Sequence, residues 1–366
     1  MTTDLFTRLH DADPAKGMSG YDDADMTTMA RIITDEADHD VAATTGAARR
    51  FKPRRLLLAI PVAATVAAAL VIAPTFTNSP SVSAEAATIL NKAADNITAT
   101  DPAAKPGQWW KVTTSGFNLA IIGTSTTDPN AAVAILEGRT DTSYIAVDGS
   151  HATYTASGPA TFVRQVGGAH VTAADLPDQF NGSGEVTTSN LAPNDTPGAW
   201  QAPTPAFLAA LPRDPSALRQ RLYDDTAGHG RSTDGEVFVY VADVLRSGLV
   251  PADLRGALYR VLATVPGVEI TSRTATIGTA KGIAFGWYEA TDGTRQEIII
   301  NPANGDLIGE RDVTVTNVGD IPAGTVTGET VVTRTLANTV PADVVANAKV
   351  LNCNVIADDA IQCDGA

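Results

Sequence analysis

One long uncharged segment dominates the pattern of apolar and polar positions along the chain. It begins at Leu56, ends at Ala73 and reads LLLAIPVAATVAAALVIA, which is 18 residues without a charge. A helix needs about 20 apolar residues to cross the hydrocarbon core of a bilayer, and slightly fewer are tolerated. The pattern therefore predicts one transmembrane helix. The basic residues directly before it place its N-terminal side in the cytoplasm: Arg49, Arg50, Lys52, Arg54 and Arg55.

Two other kinds of segment share part of this pattern. A helix buried in a protein core would be as apolar, but such helices seldom carry a basic flank on one side only. A cleavable signal peptide would end near Ser83 and Ala84, yet the 55 residues before the segment far exceed an ordinary n-region. We therefore predict an uncleaved, single-pass anchor in the cell membrane, with the C-terminal domain extracellular.

The predicted anchor divides the chain into four parts. Residues 1–48 form an acidic cytoplasmic arm, 49–76 the basic flank and transmembrane helix, 77–83 a stalk, and 84–366 an extracytoplasmic domain. The arm holds ten acidic and three basic residues. It is too short and polar to bury a core, so it is predicted to be mostly disordered.

One stretch of the arm has helical spacing. Met26, Met29 and Ile33 fall on one face of a helix, with acidic residues at its N-terminal end. Such a face on a disordered arm could dock into the groove of a cytoplasmic protein partner. A transient, solvated helix without a partner explains the same spacing, and the sequence leaves both interpretations open.

Beyond the stalk, the pattern changes between helical and strand periods. A helix is predicted to begin at Ser83, and a strand at Gln108 that includes 109–114. Strands are also predicted over 143–147 and 151–155, joined by the Asp148-Gly149 turn, and loops with one or two short strands fill 157–204. This order predicts an α+β fold, in which a curved antiparallel sheet carries packed helices. The remaining predicted helices are 205–211, 216–224, 236–246 and 251–264, and the remaining strands are 268–277, 282–290, 294–301, 307–316 and 326–337.

Local signals support several of these boundaries. Asp214 followed by Pro215 is typical of a helix N-terminus, and Asp292-Gly293 is typical of a hairpin turn. In the strand 294–301, Arg295 and Glu297 lie on the same face because side chains alternate along a strand. The face of the strand that carries Arg295 and Glu297 is predicted to be exposed to solvent.

Three stretches of the outer domain carry a resemblance. They begin at Leu211 (LPRDPSALRQRL), at Leu249 (LVPADLRGALYRVLA) and at Glu297 (EIIINPANGDLIGE), with Pro266-Gly267-Val268 between the last two. Together they resemble an actinobacterial family of single-span membrane proteins of unknown function, over most of residues 50–315. The resemblance implies topology and fold but no activity. More loosely, a helix followed by a curved meander resembles the lipoprotein-carrier fold of periplasmic lipid carriers and stress-sensor regulators.

Composition and charge exclude several classes of function. The net charge is −15, so there is no basic surplus for nucleic-acid phosphate, and no nucleic-acid partner is expected. Two cysteines are too few for a four-thiolate metal site. Because Cys353 and Cys363 both lie beyond the predicted span, on the side where disulfides persist, we predict that they form a disulfide.

The sequence contains no familiar motif that identifies a catalytic, cofactor-binding or metal-binding residue. His151, His170 and His229 could meet in space, although isolated histidines are far commoner, and Asp358-Asp359 lacks the spacing of a calcium loop. Four tryptophans could line a sugar or lipid cleft, but core packing is the commoner role: Trp109, Trp110, Trp200 and Trp287.

The sequence therefore favours a membrane-anchored binding or sensory and regulatory module without catalytic activity or cofactors, acting on an unknown envelope ligand. The alternative is an extracytoplasmic hydrolase whose carboxylates, or a Ser/Asp pair, come from distant positions. A deep polar cleft lined by titratable groups would favour the hydrolase, and a smooth apolar groove would favour the binding module.

Overall fold

A computed structural model describes residues 82–97, 103–123, 132–172, 182–357 and 360–364, together with positions 176 and 180. The arm residues Met26, Met29 and Ile33 and the segment from Leu56 to Ala73 lie outside the described residues, as does Asp358-Asp359. Within the described part of the chain, no helix combines the length and apolar character that a membrane crossing requires.

The domain is α+β, as predicted, and its main sheet has 11 strands, mostly antiparallel. The strands are β1 (Trp109–Gly123), β2 (Ala132–Ala146), β3 (Tyr154–Ser157), β4 (Thr161–Gly167), β5 (Glu185–Ser189), β6 (Glu269–Ile277), β7 (Ala280–Glu289), β8 (Thr294–Asn301), β9 (Asp306–Thr314), β10 (Val326–Ala337) and β11 (Lys349–Leu351). Their order is β11-β5-β3-β2-β1-β10-β9-β8-β7-β6, and β4 also pairs with β2. The pair β11–β5 is parallel.

Six α-helices accompany the sheet within the described residues. They are α1 (Ala84–Asp95), α2 (Pro205–Ala210), α3 (Pro215–Asp225), α4 (Thr233–Arg246), α5 (Ala252–Leu262) and α6 (Ala342–Asn347). Ser83 caps α1 by accepting a hydrogen bond from the Ala86 amide at 3.3 Å. Asp214 caps α3 through the amides of Ser216 and Ala217. Because each cap is formed by residues next to the helix start, both starts could be predicted from the sequence.

The largest core lies between the helices and one face of strands β6–β9. Leu254 and Leu258 of α5 are fully buried there, as are Phe285 of β7 and Ile298 of β8. Phe285 and Ile298 stand opposite each other on neighbouring strands, so their side chains share one face of the sheet. We call this the helix-covered face. Burial of these apolar side chains is the main force that holds the helices on the sheet.

On the opposite face, Arg295 and Glu297 lie side by side as predicted, with 2.8 Å between Nε and Oε1. The prediction that this face is wet is wrong at Glu297, whose exposure is 0%. Arg311 on β9 stands directly opposite and also donates to its carboxylate, at 2.6 Å from Nη2. The two guanidinium groups donate hydrogen bonds that replace those the carboxylate loses when burial removes it from water.

The chain ends in a small second sheet closed by a disulfide. Cys353 and Cys363 are bonded to each other and stand opposite in the pair formed by β12 (Cys353–Ala357) and β13 (Ala360–Cys363). This confirms the predicted disulfide. A two-stranded hairpin is marginally stable by itself, so a covalent link between its two strands limits its fraying.

Candidate functional site

A cleft of about 330 Å³ opens between the N-terminal half of α4 and the helix-covered face of strands β7–β9. One row of residues crosses its floor on three adjacent strands: Trp287 stands opposite Gln296, and Gln296 opposite Asp312. The helix contributes Gly235, Glu236, Phe238 and Val239, and the rim is formed by Gly230, Arg231, Ser232, Glu289, Asp292 and Thr294. Its size matches the lower range of small-molecule sites.

Trp287 forms an apolar wall of the cleft in a fixed orientation. Its indole N–H donates to the Pro266 carbonyl at 2.8 Å. The ring lies close to Gly235 of α4, where an added Cβ would stand 3.0 Å from Cζ3. A glycine at this helix position therefore gives the indole the space it occupies beneath α4.

Glu289 and Asp292 on the rim already have partners. The Ser232 hydroxyl donates to Oε2 of Glu289 at 2.7 Å, and the Thr291 amide donates to Oε1 at 3.2 Å. Burial would raise the pKa of Glu289, but these hydrogen bonds outweigh it and hold the pKa below its usual value. Asp292 is paired with Arg231 at 3.3 Å.

Glu236 and Asp312 face the cleft from opposite sides, on α4 and β9. Burial raises the pKa of Glu236, opposed by the charge of His229. Asp312 keeps access to solvent through the cleft, yet the protein around its carboxylate limits hydration and raises its pKa, opposed by the charge of Arg246. Neither carboxylate forms a hydrogen bond within the described residues.

Further along α4, the carboxylates continue beneath the helix. Arg246 donates to Asp243 at 2.6 Å and to Oε1 of Glu310 at 2.5 Å. Glu310 is 5% exposed, and its Oε2 has no hydrogen-bond partner within the described part of the chain. Burial raises the pKa of Glu310 to about 7, although Arg246 acts in the opposite direction. The Arg246 guanidinium thus pairs with two carboxylates, and its charge also acts on Asp312.

The raised pKa of Glu310 predicts that the free energy of unfolding falls as the pH rises. The folded state holds this proton up to about pH 7, whereas the unfolded carboxyl loses it near its ordinary pKa of 4.5. The folded protein therefore binds more protons between these values, and we expect about 2–3 kcal/mol of unfolding free energy to be lost as pH rises through this window. Urea denaturation of Glu310→Gln at pH 4.5 and at pH 7.5 should show a weaker pH dependence than wild type; an unchanged dependence would refute the assignment.

The residues singled out from sequence are dispersed. Trp287 alone among the four tryptophans lines the cleft. Trp200 is buried against Phe207, and Trp109 contacts the His151 ring at a centroid distance of 5.7 Å. The remaining tryptophan, Trp110, lies under the Arg334 guanidinium.

The histidines likewise form no common site. His229 lies just before α4, and its charge acts on Glu236, while His151 lies at the other end of the sheet order, before β3. His170 follows β4 and is exposed. In the described ranges, no group of three or more His, Cys, Asp or Glu side chains could hold a metal ion.

Sequence reasoning missed Glu236, Gln296 and Asp312 as a group. A usable signal was present in β8, where Gln296 shares the helix-covered face with Thr294 and with the buried apolar residue Ile298. A polar side chain at an inward-facing strand position marks a site that needs explanation. The partners on α4 and β9 become visible only after the strands are paired.

No family model matches the chain, and no curated protein matches it. The resemblance to an actinobacterial single-span family therefore stays a prediction, and the function is argued from the cleft.

Proposed function

We propose that the protein is a membrane-anchored extracytoplasmic binding module, and that its ligand enters the cleft between α4 and strands β7–β9. The observation that carries the proposal is the cleft itself, which joins an apolar wall at Trp287 to polar groups from several elements. A concave site with a few convergent polar groups is the usual form of a small-molecule site. The arm and the span would tether this site to the cell surface and could report occupancy to the cytoplasm.

The cleft is lined by titratable polar groups, and from the sequence such a cleft is expected in a hydrolase. A smooth apolar groove would have favoured the binding module. Ser232 and Glu289 even form a Ser/carboxylate pair from distant positions. However, the pKa of Glu289 is lowered, which makes it a weak base for activating a serine hydroxyl. The arrangement therefore supports binding better than nucleophilic catalysis.

The second candidate, hydrolysis by a carboxylate pair, has one observation in its favour. Glu236 has a raised pKa and Glu289 a lowered one, and both line the same cleft. Opposite shifts of this kind are typical of an acid and a base in glycoside hydrolysis. Incubation with p-nitrophenyl acetate and with triacetylchitotriose separates the candidates: turnover by wild type that Glu236→Gln abolishes would favour the hydrolase, and none is expected.

Binding is tested on the full-length protein by calorimetry with three probes of different charge: pentane-1,5-diamine, triacetylchitotriose and glutarate. We expect at least one probe to bind, with at least tenfold loss in Val239→Trp, which places an indole in the cleft. The matched control is Val345→Trp, at an exposed position of α6. If no probe binds, or if both variants behave alike, the proposed binding cleft is wrong.

Anchoring is tested separately on intact cells. The basic flank before Leu56 predicts that the arm is inside and the α+β domain outside. External protease should therefore remove epitopes of the C-terminal domain and leave an N-terminal epitope tag protected. Protection of the C-terminal domain, or a mature N-terminus near Glu85, would contradict the topology.

A further inference from the structure

Polar contacts join helix α4 to the sheet near both of its ends. Just before its first turn, the Ser232 hydroxyl donates to Glu289 of β7 at 2.7 Å. In its last turn, Arg246 donates to Oε1 of Glu310 on β9 at 2.5 Å. The N-terminal half of the same helix forms one wall of the cleft. The contact between Arg246 and Glu310 therefore fixes the far end of a helix that shapes the cleft.

This end of α4 covers more negative charge than positive charge. Arg246 also donates to Asp243, one turn earlier on α4, at 2.6 Å. The carboxylates of Asp243 and Glu310 are both largely buried, and Oε2 of Glu310 has no hydrogen-bond partner within the described residues. A guanidinium carries a single positive charge, so Arg246 cannot neutralise both carboxylates.

The charges that act on Glu310 come from α4 and from its own strand. Arg246 favours the ionised form, whereas Asp243 and the solvent-exposed Asp312 of β9 oppose it. The residues directly opposite Glu310 on the adjacent strands do not titrate: Ile298 on β8 and Thr330 on β10. Because side chains alternate along a strand, the nearest other charged residues lie on the opposite face of the sheet: Glu297, Arg311 and Glu329.

Burial has the largest effect on Glu310 and raises the pKa of its carboxyl group to about 7. Below this pH the closed structure holds a neutral carboxyl group, which costs little to bury. Above it, the closed structure has to bury a second negative charge beside Asp243. The carboxylate regains water when the last turn of α4, which carries Arg246, moves away from β9.

We infer that the contact between Arg246 and Glu310 is a pH-sensitive latch, which holds the last turn of α4 on β9 while Glu310 is protonated and releases it when Glu310 ionises. The linkage described above concerns unfolding of the whole domain, whereas the latch predicts a local opening that precedes it. The latch requires no ligand and so does not depend on the proposed binding function. Only its consequence for the cleft rests on that function.

Proton linkage sets the size of the effect. The closed turn holds Glu310 with a pKa of about 7, and an open turn exposes it with its ordinary pKa of 4.5. The equilibrium constant for opening should therefore rise about tenfold between pH 6.0 and pH 8.5. The amides that report this opening are those of Ser247 and Gly248, which donate to the carbonyls of Asp243 and Leu245.

Hydrogen exchange of the full-length protein at these two pH values measures the opening, after correction for the intrinsic exchange rate. The last turn of α5 is the internal control, because its Arg260 pairs with the exposed carboxylate of Asp95. We expect about a tenfold rise at the end of α4, as linkage requires, and less than a threefold change at the amides of Ala263 and Thr264. No rise at α4, or an equal rise at both helix ends, overturns the latch.

Variants connect the rise to the named groups. Glu310→Gln keeps an acceptor for Arg246 but cannot ionise, so the rise should fall below threefold. Arg246→Gln removes the charge that lowers the pKa of Glu310 and should move the midpoint of the rise to higher pH, whereas Asp243→Asn removes a like charge and should move it to lower pH. Glu85→Gln, in an exposed ion pair with Arg273, should leave the rise unchanged.

Circular dichroism verifies that each variant is folded, and Glu310→Gln alone decides the inference if Arg246→Gln does not fold. A tenfold rise that persists in Glu310→Gln, or midpoints that move in the same direction in Arg246→Gln and Asp243→Asn, would show that another group controls the end of α4. If exchange shows the rise while no calorimetric probe binds, the binding function is wrong and the latch remains.

Discussion

Replacing Glu297 with glutamine is expected to lower the free energy of unfolding by about 3–4 kcal/mol, because it leaves two guanidinium groups facing each other without their shared anion. Glu297 has no exposed surface and accepts hydrogen bonds from Arg295 and Arg311. Both arginine side chains keep some access to solvent, at 24% and 20% exposure, so part of the repulsion can be relieved by hydration. The effect is measured by urea denaturation at constant pH.

Two controls separate this network from surface ion pairs. Glu85→Gln removes the partner of Arg273 in a pair that is about half exposed, and should have a much smaller effect because water screens an exposed pair. Replacing Arg295, Glu297 and Arg311 together by methionine, leucine and methionine should be less harmful than Glu297→Gln, because the fully buried carboxylate is removed together with both of its partners and only the partly buried Glu329 loses a nearby cation. Equal losses in Glu85→Gln and Glu297→Gln would show that the burial of Glu297 has no energetic consequence.

The second large effect is expected in the core beneath the helices. Phe285→Ala should destabilise the domain by about 3–5 kcal/mol, through lost apolar burial and the cavity left behind. Phe285 has no exposed surface and packs in the cluster that joins α5 to strands β7 and β8. Thermal and urea unfolding both report the change.

The matched control lies three residues further along the same strand. Tyr288 is 36% exposed, and Tyr288→Ala should cost clearly less, within about 1 kcal/mol. A loss at Phe285 no larger than at Tyr288 would mean that the helices do not pack on this face of β7 as described.

Several elements could be predicted because their signals are local. Asp214 and Pro215 specify a helix start through a side-chain cap and a fixed φ, and the structure begins α3 at Pro215. The Asp292-Gly293 turn is confirmed between β7 and β8, where Gly293 has a φ of 65° that favours glycine. The disulfide between Cys353 and Cys363 could also be predicted, because the chain contains no other cysteine.

Other elements depend on partners distant in sequence. The central strands β1 and β2 extend well beyond their predicted parts, to Gly123 and from Ala132, and pair along that whole length. Ser, Gly and Ala recur in both strands and weaken the strand pattern there. The parallel pairing of β11 with β5 has no local signal at all, because the two strands are separated by most of the domain.

The candidate site also separates what local sequence signals predict from what depends on residues distant in the chain. From the sequence alone came the α+β class, most helix and strand positions, and the exclusion of familiar catalytic motifs, since these depend on periodicity and on residues close together in the chain. The cleft needed the tertiary structure, because Trp287, Gln296 and Asp312 become neighbours only through strand pairing, and Glu236 joins them only when α4 packs on the sheet. Hydrogen bonds across strands and apolar burial beneath a helix are interactions between distant segments, and no local pattern specifies which carboxylates they bring together.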